Sequence, residues 1–90
     1  MYTILTTTSF LRTAQKFFKR HPELKTRFES IIKILQKDPA NPSLKLHALK
    51  GELKGLFAVR LTYKYRITII IRLKQKEIIL IDIGSHDEVY

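Results

Sequence analysis

A chain of 90 residues with 17 Lys and Arg against 8 Asp and Glu, a formal charge of +9, has room for one domain over residues 1–90 and one core. The absence of cysteine excludes disulfides and thiolate metal sites, and a hydrophobic content of 44% excludes a disordered polar tail. The positive excess calls for a polyanion, a role that a nucleic acid, an anionic membrane or an acidic protein would each fill.

Residues 2–5 form a short β-favouring run that ends in Thr6, Thr7, Thr8 and Ser9, candidates for a helix N-cap. No basic segment followed by a long apolar run opens the chain, and no apolar stretch is long enough to cross a bilayer. A cytoplasmic protein with no membrane partner is therefore expected. Phe10, Ala14, Phe17 and Phe18 keep helical spacing, while Arg12, Lys16, Lys19 and Arg20 fall mostly on the opposite side. Pro22 ends this helix at His21 and suits the first turn of a second one. There Leu24, Phe28, Ile31, Ile32 and Leu35 repeat the spacing until Asp38, Pro39 and Pro42 close it. The pair reads as a helical hairpin.

From Leu56 the period changes to that of strands. Residues 56–62, 65–73 and 77–83, joined by short connections, predict an antiparallel meander. Phe57, Val59 and Leu61 share one face of the first, and Ala58, Arg60 and Thr62 the other; in the second, Ile67, Ile69, Ile71 and Leu73 oppose Arg66, Thr68, Ile70 and Arg72. The expected fold is α+β: a two-helix hairpin on one face of a small, mainly antiparallel four-stranded sheet, in the order β-α-α-β-β-β. Helices cover one face only, so the other, with Arg60, Arg66 and Arg72, is expected to be open and basic.

Three histidines are available for proton transfer. His21, between two helices and before a proline, has a structural role at hand. His47 and His86 fall at edges of the sheet, where a rigid support displays reactive groups, although an ordinary surface histidine fits either position as well. A metal site of Asp82, His86 and Asp87 has no second histidine and no helical spacing, so no metal and no cofactor is expected. RNA is cut without a metal when a site deprotonates the ribose 2′-hydroxyl, neutralises the phosphate and protonates the leaving 5′ oxygen. Arginine suits the phosphate through its planar fork, and histidine suits proton transfer because it titrates near neutrality, with nearby arginines favouring its free base. Tyrosine can stack on a base or share in the proton transfer, and the C-terminal segment brings His86 and Tyr90 together.

Three segments carry a family resemblance: His47-Ala48-Leu49-Lys50-Gly51 through Lys54-Gly55, Tyr63-Lys64-Tyr65-Arg66, and residues 82–90 with Gly84-Ser85-His86. In this order, behind a two-helix half, they resemble the RelE/StbE branch of the RelE/ParE toxins, with YafQ-like members close by. The resemblance implies an endoribonuclease toxin of a toxin–antitoxin pair that cleaves messenger RNA on the ribosome, leaving a 2′,3′-cyclic phosphate and a 5′-hydroxyl. It implies His47, Arg60, Arg66, His86 and Tyr90 as catalytic residues, with His86 the principal acid or base and His47 its partner. Lys50, Lys54, Lys64 and Arg72 are the expected RNA-binding cations. The sequence departs from the family at Ala58, where RelE has lysine, at Lys64, where YafQ has aspartate, and at Asp82, where YafQ has arginine. An antitoxin, acidic and partly disordered when free, is expected to cover the basic face. Two other readings stay open: a ParE-like inhibitor of DNA gyrase, and a non-catalytic RNA-binding module.

Overall fold

The computed structural model describes residues 1–85, so His86 and Tyr90 lie outside the described residues. Strand β1 (Thr3–Thr6) leads into helix α1 (Thr8–Arg20), and a 3-10 turn at Pro22–Leu24 separates it from α2 (Lys25–Lys37). Strands β2 (His47–Ala48), β3 (Phe57–Arg60), β4 (Tyr65–Arg72) and β5 (Glu77–Ser85) complete the fold. No helix among the described residues is long and apolar enough to cross a membrane.

Among the threonines at the start, Thr7 is the cap: its hydroxyl accepts from the Phe10 amide at 2.9 Å, satisfying one of the orphan donors of the first turn. Phe10, Ala14 and Phe17 turn the buried stripe of α1 to the sheet, and α2 contributes Ile31 and Leu35. Val59, Leu61, Ile67, Ile69, Ile78, Leu80 and Ile83 meet them from the sheet, each 3% exposed or less. Side chains of this size contribute roughly 1.5–3 kcal/mol apiece when removed from water, so this interface holds the helices to the sheet.

The sheet has five strands, in the order β1-β5-β4-β3-β2, rather than the four expected. The extra one is the two-residue β2, which pairs His47 with Ala58 and Ala48 with Phe57 along the edge of β3. Two residues are too few to show an alternation, which is why periodicity passes over them. β1 lies parallel to β5, and all the other pairings are antiparallel.

Cross-strand partners share a face, so the register gives the outer, helix-free face row by row. Arg60, Arg66 and Gly84 form one row, and His47, Ala58, Thr68 and Asp82 the next. Ile70, Ile79 and Leu5 follow, then Arg72, Glu77 and Thr3. The face is therefore basic at one end only, and apolar farther along. It is not uniformly open either, because Ala58 and Thr68 are buried. Leu73 leaves its expected place beside Ile71 for the turn after β4, where it is exposed.

Candidate active site

The basic end of the outer face borders a hollow of about 510 Å³ lined by His47, Leu49, Lys50, Glu52, Leu53 and Arg66. Three of the expected residues, His47, Lys50 and Arg66, thus share one depression. β2 brings His47 to the edge of β3, and β4 brings Arg66 from the far side of β3. The wall between is the segment from Lys50 to Gly55, whose ends are tied by the Leu49 amide donating to the Leu56 carbonyl at 2.9 Å. Gly51 and Gly55 allow that tight return, with φ of 68° and 98°.

The exposed His47 carries an informative contact: its Nδ1 lies 3.0 Å from the Lys45 carbonyl oxygen. A carbonyl only accepts, so the hydrogen bond requires a proton on Nδ1. In the neutral ring this makes Nε2 the basic nitrogen, the tautomer a general base needs. Lys45 itself holds a left-handed conformation, φ 52°, which turns its carbonyl at the end of the Pro42–Leu44 turn.

Arg60 stands directly across from Arg66 and is exposed, with its guanidinium carbon 5.9 Å from the centre of the Tyr63 ring. Tyr63, 90% exposed, is a candidate stacking surface that alternation did not single out, since it lies in the turn between β3 and β4. Lys64 lies in the same turn, its ammonium 5.6 Å from the Tyr65 ring centre. Lys54 lies between Gly51–Leu53 and β3 and does not line the hollow.

Arg72 is on the expected face but not at the site. Six residues from Arg66 along β4, it is roughly 20 Å away at the usual rise of a strand, and it pairs with Glu77 at 3.5 Å. Asp82 accepts from the Ile83 amide at 2.8 Å, beside a bulge where Thr68 pairs Asp82 but Ile69 pairs Leu80. Among the described residues no group of three His, Asp or Glu side chains is placed to hold a metal ion.

A family model described as the bacterial toxin of type II toxin–antitoxin systems, YafQ, matches residues 2–90. Among solved structures, the metal-bound toxin from Helicobacter pylori is 27% identical over the full length of both chains, with a TM-score of 0.83. YafQ from E. coli is 15% identical over 100% of this chain and 99% of that one, also at 0.83. The YoeB–YefM complex from Staphylococcus aureus gives 15% identity and 0.75, covering 96% and 98%. The last two share the fold. No curated protein matches the chain in sequence.

Proposed function

Because the chain belongs to the YafQ family of toxins from bacterial type II toxin–antitoxin systems, we propose that it is a ribosome-dependent endoribonuclease that cleaves messenger RNA in the cytoplasm. Nε2 of His47 takes the proton from the ribose 2′-hydroxyl. The 2′ oxygen then attacks phosphorus as the bond from phosphorus to the 5′ oxygen breaks, yielding a 2′,3′-cyclic phosphate and a 5′-hydroxyl. His86 supplies the proton to the leaving oxygen, and Tyr90 stacks on a neighbouring base. Arg66 meets the phosphate with two parallel hydrogen bonds, and Arg60 and Lys50 add positive charge around it.

One observation carries this reading: His47, whose Nδ1 faces the Lys45 carbonyl, and Arg66 line the same hollow. Acid, base and cation all come from side chains, so the reaction proposed uses no metal, although two of the similar solved structures are metal-bound toxins, one of them a copper-bound mutant. The antitoxin partner belongs to the family's biology; here it is an acidic segment, disordered when free, that neutralises the Arg60–Arg66 end of the sheet.

Inducing the chain in a bacterium and mapping message 5′ ends, beside a gyrase supercoiling assay on the purified protein, tests the reading. Cuts within translated messages, absent for His47→Ala and unaffected by a transition-metal chelator, are expected. Inhibited supercoiling with intact messages would replace the nuclease by a gyrase toxin.

A further inference from the structure

A second depression lies on the other side of the same sheet end. Thr13, Lys16 and Arg20 from α1 line a recess of about 240 Å³ together with His21 and Tyr65. We infer that this recess is a second RNA site, which holds a backbone phosphate next to the cleavage hollow. The inference rests on the ribonuclease reading and extends it to a part of the surface that reading leaves unused.

Four observations support it. Helix α1 contains four cations, Arg12, Lys16, Lys19 and Arg20, and no acid, so it lacks any internal charge balance. Neither Lys16 nor Arg20 enters an ion pair among the described residues, and Glu23 lies 3.7 Å from His21 Nδ1 rather than on either cation. Lys16 and Arg20 are one helical step of four residues apart, about 6 Å along the axis, a spacing close to that of successive phosphates in a nucleic-acid strand. The rings behind them are packed in place: His21 lies 4.8 Å from both Phe17 and Tyr65, and Phe17 meets Tyr65 edge-on at 5.0 Å. The recess is thus backed by side chains fixed by packing, not formed by loose lysines alone.

Its position favours RNA over an acidic protein segment. Tyr65, which lines this recess, and Arg66, which lines the cleavage hollow, are consecutive in β4 and project to opposite faces. The turn between β3 and β4, with exposed Tyr63 and Lys64, caps the same end of the sheet. A single strand that passes round this end meets cations on the outer face, an aromatic ring and a cation at the turn, and cations again on the helical side. Cationic grooves with interleaved aromatics are how single-stranded nucleic acid is held without sequence preference.

The test uses the full chain and a short fluorescent 2′-O-methyl RNA, which it binds but cannot cut. The double variant Lys16→Ala with Arg20→Ala should bind on the order of tenfold more weakly, and its plot of log affinity against log salt should lose about 1.4 of slope, two phosphates at roughly 0.7 each. Lys37→Ala with Lys74→Ala removes the same charge from the opposite end of the sheet, beside the turn between β4 and β5, and should cost less than about threefold, because screened charges act only over roughly 10 Å. Equal losses for the two pairs, or none for the first, would overturn the site. An equal loss by the first pair on polyglutamate would assign the recess to an acidic protein instead. Message cutting in cells is read in parallel: if the unaltered chain cuts while the recess pair binds RNA normally, the second site fails and the nuclease stands. If the unaltered chain neither cuts nor binds, both fall.

Discussion

Arg60 and Arg66 stand directly opposite one another across β3 and β4, two like charges on one face of the sheet. Facing like charges destabilise a strand pair, by roughly 0.2–1 kcal/mol where no anion offsets them. An anion placed between them would reverse that cost. Arg60→Thr should therefore raise the unfolding midpoint by up to about 4–8 °C at low salt, and the gain should shrink in 1 M salt, where the Debye length is about 3 Å. Thermal unfolding at the two salt concentrations checks this; a loss of stability at low salt would mean that the Arg60 contact with Tyr63 outweighs the repulsion.

Arg66→Lys keeps the charge and removes the fork. If Arg66 grips the scissile phosphate with two hydrogen bonds, the loss of one charge-assisted bond, about 1.5–3 kcal/mol, slows cutting by roughly ten- to a hundredfold. Primer extension on a translated message measures it. An unchanged rate would reduce Arg66 to a solvated surface charge.

His47→Gln tests the tautomer. Glutamine can still donate a hydrogen bond to the Lys45 carbonyl but cannot accept the 2′-hydroxyl proton, so cutting should fall by about 10²–10⁴ with the unfolding midpoint unchanged, since the ring is exposed. Activity within a fewfold of the unaltered chain would remove His47 from proton transfer.

Much of this site was legible as alternation. The two-residue period of strands put Arg60 and Arg66 on one face before any register was known, and the register made them neighbours. Alternation fixes a face but not a distance along it, so Arg72 shared the face while lying at the other end with Glu77 as partner. It is also blind to a bulge. Ile81 is the extra residue between the Thr68–Asp82 and Ile69–Leu80 pairs, and it shifts the phase so that Ile83 is buried on the same side as Leu80 and Ile78. His21 read as a structural residue between helices, and its ring does pack between Phe17 and Tyr65. That it also lines a basic recess depends on contacts across more than forty positions of chain, which no local spacing reveals.

Gly51 holds φ at 68°, and no atom lies within 4 Å of where a Cβ would sit, so a side chain there meets conformational cost alone. Asparagine tolerates the left-handed region and valine does not. Gly51→Asn should leave stability and cutting near those of the unaltered chain, whereas Gly51→Val should cost roughly 1–2 kcal/mol and disturb the wall that carries Lys50. Urea unfolding of both variants separates backbone strain from loss of space; equal damage from both would point to crowding.

Thr68 offers the opposite experiment. Its hydroxyl is buried and has no hydrogen-bond partner among the described residues, in the row between Ala58 and Asp82. A buried hydroxyl without a partner costs about 1–3 kcal/mol, and a valine keeps the branched shape that a strand favours while replacing that hydroxyl with a methyl group. Thr68→Val should therefore raise stability by on the order of 1 kcal/mol, a midpoint gain of about 4–8 °C for a domain of this size. Because Thr68 lies beside the row of Arg60 and Arg66 and does not line the hollow, the same variant should still cut messages. If stability rises while cutting collapses, the orphan hydroxyl has a partner during the reaction, and the row from His47 to Asp82 belongs to the active site. If stability falls, the hydroxyl is satisfied in solution by a water that replaces the missing acceptor.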